Sequence, residues 1–287
     1  MSGPLVDFVE LTLVKAAPLI YAALAGVLCE RAGILNIALE GQLTVGAFTG
    51  VAVAFLTGSP LLGLVAGIAA GALAGALLGI AATRFGVDQI GAGTGLNLLA
   101  LGGCAFGLTV VFGQPGASSE VHSLGGRGEW ILIALAFLAA IVLHFALYRT
   151  AWGLRVRACG ENPKAVRSAG IDPRNVRLIA TMIAGGLAGL GGVYLSLGEL
   201  DLYSDGMTAG RGFIALAAVI FGRWTPFGAM GAAIGFGALA ALQFTLQRSG
   251  IPSELMQALP YLAALAALTG IAGRARAPQS DGVPYTE

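Results

Sequence analysis

The residues of this chain whose types could do chemistry are polar side chains set inside apolar runs. Asn36 and Glu40 lie four apart, each flanked by aliphatic residues, and four-residue spacing places two side chains on one face of a helix. Two readings stand for Glu40. It either orients a broken helix or gates a path, or it sits hydrated near a boundary, paired with Arg31. Asn97 and Gln243 interrupt other apolar stretches. Such an amide either hydrogen-bonds the heterocycle of a ligand or ties two helices together. Arg211 and Phe213 stand where a short apolar segment begins, at the outer side by this reading. A guanidinium beside a ring can meet a purine or a sugar, or only the lip of a docked protein. Polar groups at such positions are expensive and are functional candidates by default.

Catalytic chemistry is poorly equipped here. His122 and His144 are isolated, and Cys29, Cys104 and Cys159 follow no ligand or disulfide spacing. No nucleophile–base pair stands out. The only lysines are Lys15, after Val14, and Lys164, after Pro163. Neither can serve a Gly-Lys-Ser/Thr phosphate loop, so this chain cannot bind ATP in that way. No cofactor and no metal is expected on this chain.

The elements that must position these residues are membrane helices. Hydrophobic residues make up 56% of the 287 and charged residues 11%, against about 25% charged in soluble domains. Apolar segments fall at about 10–29, 33–57, 60–83, 88–112, 130–148, 177–198, 210–223, 225–247 and 251–273. The expectation is an all-α, polytopic bundle of about eight or nine helices. A span takes roughly 20 residues, so 210–223 is short and reads as a broken or re-entrant helix. No basic n-region or small-residue cleavage site opens the chain, so the first membrane helix is expected to be its uncleaved address. Residues 1–273 form the membrane domain in this reading, and the polar tail 274–287 is expected to be disordered and cytoplasmic.

Glycine accounts for 45 residues. Gly67, Gly71, Gly75 and Gly79 recur every four positions and line one helix face, which suits backbone-to-backbone packing. Ser59-Pro60 and Thr225-Pro226 each open a glycine-rich helix after a glycine-interrupted segment. Either this is an inverted-topology repeat, or Pro merely starts helices at its preferred first position.

Seven of the sixteen Lys and Arg residues lie in 149–177, opposed there by Glu161 and Asp172. Placing that loop in the cytoplasm and alternating outward puts twelve of the sixteen on one side. Nine crossings then leave the N-terminus outside and the C-terminus inside. Within the loop, Asn162 and Pro163 start a short helix over 164–169, which Gly170 stops. Asp172 and Pro173 repeat the cap-and-proline signal for the next membrane helix. A rigid cytoplasmic helix follows, of a kind that a soluble partner can dock against.

The stretch Gly160–Ile171 (GENPKAVRSAGI) resembles the loop by which permeases of bacterial ABC importers of the branched-chain amino acid and ribose class contact their ATPases. Glu30–Gly41 (ERAGILNIALEG), Gly95–Leu101 (GLNLLAL) and Gly206–Gly222 (GMTAGRGFIALAAVIFG) resemble the same family, and in particular its nucleoside-type branch. The resemblance runs through roughly 15–273, and the chain is similar in length to the smaller of two paired permeases. It implies alternating access in the bacterial inner membrane, driven by a separate ATPase that holds ATP and Mg. It further implies a second, longer permease, an extracytoplasmic binding lipoprotein and no nucleic acid. Gly160, Glu161, Asn162, Pro163, Lys164, Ala165, Ala169, Gly170 and Ile171 would make the ATPase contact. Asn36, Glu40, Asn97, Arg211, Phe213 and Gln243 are the path candidates. The solute would be small and neutral: a nucleoside first, with purine bases, riboflavin and simple sugars as alternatives. From another class, an ion-coupled secondary transporter needs buried carboxylate relays, and Glu40 is the one plausible relay.

Overall fold

The computed structural model describes residues 3–246 and 276–283. Its elements are α1 (Pro4–Arg31), α2 (Leu39–Thr57), α3 (Pro60–Arg84), α4 (Gln89–Phe112), α5 (Gly125–Arg149), α6 (Ala151–Glu161), α7 (Pro163–Ser168), α8 (Pro173–Val193), α9 (Arg211–Phe221) and α10 (Pro226–Leu246). A π-helical stretch, Tyr194–Leu200, prolongs α8. Among the described residues seven helices are long and apolar enough to cross a membrane. The segment expected at 251–273 lies outside the described residues.

The central post is α1, in which every residue from Ala16 to Glu30 is buried. Helices α5, α8, α9 and α10 pack around it. The tightest packing joins α3 to α8, and glycine makes it possible. A Cβ on Gly71 would fall on the carbonyl oxygen of Gly185 and within 2.7 Å of the Gly189 Cα. A Cβ on Gly189 would meet the Gly67 oxygen at 2.6 Å. Gly75 and Gly79 press on Thr181 in the same way, and Gly46 of α2 presses on Gly189. The opposite face of α3 carries exposed Leu61, Leu62 and Val65. In water that face would be a liability; in lipid it is the side that needs no cover.

Two helices are broken, the first where the hydropathy alone suggested continuity and the second where the shortness of 210–223 suggested a break. The apolar run expected from residue 33 is not helical until Leu39. Residues 32–38 pass as turn and extended chain, because side chains of α4 take their backbone hydrogen bonds, as described below. After Leu200 the chain turns at Asp201 (φ 59°) and runs without regular structure to Gly210 (φ 76°), where α9 begins. The eleven residues of α9 rise about 16 Å at about 1.5 Å each, half of a ~30 Å hydrocarbon core.

At one end of the bundle, residues 113–124 and 201–210 form a shared platform. Ser118 N donates to Tyr203 O (2.8 Å), Asp205 N to Gly116 O (2.8 Å) and Val121 N to Asp201 O (2.9 Å). At the other end lie α6, α7, the turn 222–225 and the tail segment 276–283. Residues 276–283 of the tail expected to be disordered lie against α6. Pro278 is buried against Gly160, Ser280 N donates to Gly160 O (2.8 Å), and Ser280 Oγ donates to Glu161 O (3.3 Å). The last carbonyls of α6 have no helical donors of their own, and the tail supplies them.

Candidate functional site

The two breaks meet inside the bundle. Glu40, in the first turn of α2, reaches the start of α9: its Oε1 accepts from Gly210 N at 2.8 Å and its Oε2 from Gly212 N at 2.7 Å. A carboxylate there satisfies free N–H groups and complements the positive end of the α9 dipole. Gly212 is glycine of necessity, since a Cβ would lie 2.6 Å from the Glu40 Cα. Thr44 and Thr208 join the same two elements, oxygen to oxygen at 3.3 Å. Of the two readings of Glu40, the geometry has it orienting a broken helix. Arg31 is engaged elsewhere, with Trp224 O and Arg223 O.

Asn97 ties α4 to the first break. Its Nδ2 donates to Ile37 O (2.9 Å) and its Oδ1 accepts from Gly41 N (2.7 Å). Gln89 Oε1 accepts from Leu35 N at 2.7 Å. These amides take over the bonds that a helix through 33–38 would have made to itself, so Asn36 lies before α2 and does not share a helix face with Glu40. Asn36 is fully buried and donates through Nδ2 to Gln42 Oε1 at 3.0 Å. Arg211 donates to Met207 O (2.7 Å) and Thr208 O (3.2 Å). It and the exposed Phe213 stand at the start of α9. Gln243 is half-buried on α10, apart from this cluster.

Sequence reasoning passed over several residues that the fold brings together. Gln42, two positions beyond Glu40, carries the same signal as Asn97: an amide in apolar surroundings. Lys15 of α1 is paired with Glu199 of the π-helical stretch and lies 4.8 Å over the Phe244 ring. Beside that pair, Tyr194 Oη donates to Val14 O at 3.1 Å.

At the other end, the loop 149–177 holds two helices where one was expected. Asn162 closes α6 and caps α7, its Oδ1 accepting from Ala165 N at 3.1 Å. Asp172 caps α8 through Arg174 N (3.0 Å) and faces Arg167 at 3.7 Å. Gly170 holds φ 81°, a conformation that costs a side-chain-bearing residue roughly 1 kcal/mol or more. Buried Val166 anchors α7, while Glu161, Asn162, Lys164, Ala165, Ala169 and Gly170 are exposed and Pro163 and Ile171 partly so. A hollow of about 360 Å³ opens between α6 and α7, walled by Leu154, Ala158, Glu161, Asn162, Ala165 and Ile171.

Arg177 is the residue that the polar reading of the loop misplaced. It is 1% exposed, in the second turn of α8, and its guanidinium donates to Ala32 O (3.0 Å) and Cys159 O (3.3 Å). The backbone of Gly160 lies directly on Arg31 O. On the far side of α1, Glu30 accepts from the Trp224 indole and Arg31 Nε donates to Trp224 O (2.7 Å). The last turn of α1 therefore joins α6, the first break and the end of α9. Asp281 of the tail lies beside this junction, and burial raises its carboxyl to about 7, with the Arg177 charge pulling it down.

Residues 8–272 match the family described as branched-chain amino acid transport system / permease component. The chain belongs to this family. It is thus a multi-pass membrane transport subunit. Among relatives of the permease family, the chain is 39% identical to the guanosine ABC transporter permease protein NupQ of Bacillus subtilis, over 96% of this chain and 95% of that one. It is 34% identical to the nucleoside ABC transporter permease protein NupC of Lactococcus lactis, over 95% and 94%. A second Bacillus subtilis protein, the guanosine ABC transporter permease protein NupP, is 28% identical over 87% of this chain and 77% of its own length. No solved structure matches the chain.

Proposed function

We propose that this chain is the permease subunit of an ATP-driven importer that carries nucleosides across the bacterial cell membrane. The observation that carries the reading is the junction at Arg177. A rigid, twice-capped segment, 160–170, is joined through Cys159, Arg177 and Ala32 to the broken helices around Glu40 and Asn97. A separate ATPase, holding ATP and Mg, docks on Glu161, Lys164, Ala165 and the α6–α7 hollow. Its closure pushes Gly160 against α1, and the last turn of α1 shifts the 32–38 break and the end of α9 together. The glycine seam of α3 and α8 lets the bundle rock as packed bodies.

The nucleoside assignment rests on what the names of NupQ and NupC say of those proteins. NupP and NupQ, both named as guanosine permeases of one organism, favour a second, different and longer permease chain as partner. The cargo is delivered by an extracytoplasmic binding lipoprotein. The coupling segment and the docked tail face the cytoplasm, on the side that holds twelve of the sixteen basic residues.

The test is uptake of labelled guanosine, inosine, adenosine, uridine and ribose in cells that lack this chain and in the same cells with it restored. Restored nucleoside uptake, without ribose uptake, is the expected result. Equal nucleoside uptake in both strains overturns the reading.

A further inference from the structure

The pair Asn36–Gln42 is incomplete in a way that its neighbours are not. Asn97 uses both ends of its amide, and Glu40 uses both oxygens. Asn36 and Gln42 share a single hydrogen bond, leaving the Asn36 Oδ1 and the Gln42 Nε2 without partners among the described residues, though the two are 0% and 1% exposed. Turning either amide over cannot repair this, because two amides joined by one bond always leave one donor and one acceptor. A buried polar group left without a partner is costly. Close by, Gln89 Nε2 is also unpartnered.

Gln42 stands in the wall of a groove of about 340 Å³ between α2, α3 and α4, whose other walls include Gly41, Phe48, Leu73, Leu96 and Ala100. That volume lies in the range of small-molecule sites, which pair apolar walls with a few placed polar groups. The groove lies at the level of Glu40 and the start of α9, near the middle of the bundle, where discontinuous helices commonly build solute sites.

We propose that Gln42, held in place by Asn36, reads the base of the transported nucleoside. The base carries a C=O on one edge, to which the Gln42 amide donates; Asn36, which is not a wall of the groove, holds the Gln42 oxygen and so sets the direction of that donor. The flat apolar walls take the ring faces. This rests on the nucleoside reading above and assigns the residue that sorts one base from another.

The test uses the whole transporter in cells and compares three forms: the wild type, Gln42→Glu, and the double variant Asn36→Leu/Gln42→Leu. The double variant removes every orphan of the pair, so its thermal stability in detergent is expected to hold or rise. Its uptake efficiency for guanosine, inosine and uridine, whose bases carry that carbonyl, is expected to fall about tenfold or more, as for the loss of one to two buried hydrogen bonds. Gln42→Glu exchanges a donor for an acceptor. It is expected to retain guanosine, whose base offers adjacent N–H and NH₂ donors, and to lose inosine, which lacks the NH₂, by about tenfold. The proposal is overturned if the double variant transports with unchanged KM and order of preference. It is overturned equally if the variants lose stability or partner-permease assembly in proportion to uptake, which would make the pair structural. Should the wild type itself import no nucleoside, the functional reading fails and this assignment fails with it; nucleoside uptake by the wild type separates the two failures.

Discussion

Arg177 and Ala32, 145 residues apart in the chain, are joined by a 3.0 Å hydrogen bond from the guanidinium to a backbone carbonyl. The bond brings the start of α8 to the end of α1, and the same guanidinium holds Cys159 at the end of α6. A charged side chain this deeply buried is retained where its donors are all needed. The ends of α1 and α6 and the start of α8 are thereby tied at one point.

Arg177→Lys keeps the charge but loses the fork, leaving a buried carbonyl short of a donor. The expected outcome is a protein that inserts and assembles, with uptake down at least tenfold, as for about 1.4 kcal/mol or more. Uptake per assembled complex checks it. Undiminished uptake would mean that the junction transmits nothing.

Glu40→Ala removes the cap from α9 and leaves Gly210 N and Gly212 N unpaired. Capping losses run about 0.5–2 kcal/mol. A lower unfolding temperature in detergent is expected, with uptake reduced for every solute alike. An unchanged melting curve would contradict the cap.

Gly71→Leu places a side chain on the Gly185 carbonyl. Overpacking costs on the order of 1–3 kcal/mol per site. Low abundance in the membrane is expected, without any change of solute preference. Normal abundance with an altered preference would turn the seam into a pathway wall.

Asp281 titrates with the docking of the tail. Its carboxyl is raised to about 7 by burial, above its ordinary range near 4. Docking is therefore favoured at pH below that ordinary range, and the preference is lost as pH rises through about 7. Glu30, beside Asp281, and Arg177 are the charges that bear on it. Protease protection of the tail is expected at pH 5.5 and reduced at pH 8. Asp281→Asn should stay protected at both. A tail cut equally fast at both pH values in the wild type would contradict the docked site.

The spans were legible in the sequence because a helix crossing lipid must be apolar along its whole length. The glycine seam was legible because a four-residue repeat cannot hide. Asn162-Pro163 and Asp172-Pro173 marked the starts of α7 and α8, since capping is local chemistry. What was not legible depends on residues distant in sequence. The run 33–38 has helical composition, and it is unwound by Gln89 and Asn97 of another helix. Arg177 reads as one more loop cation until Ala32 and Cys159 are brought to it. The tail reads as disordered by composition, and its residues 276–283 lie against the open carbonyls of Gly160 and Glu161. Glu40 allowed two roles in the sequence, and the partner that distinguishes them lies 170 residues away.

The most direct measurement is ATP hydrolysis and labelled guanosine uptake in proteoliposomes that hold the complete transporter with its binding protein. The two rates are read side by side for the wild type and for Gly170→Asp, which strains the φ 81° turn beneath the coupling helix. The account predicts that wild-type uptake requires ATP, and that Gly170→Asp breaks the ratio of solute moved to ATP hydrolysed by about tenfold while the complex stays assembled. Guanosine uptake that proceeds without ATP, or a Gly170→Asp complex with an unchanged ratio, would contradict it.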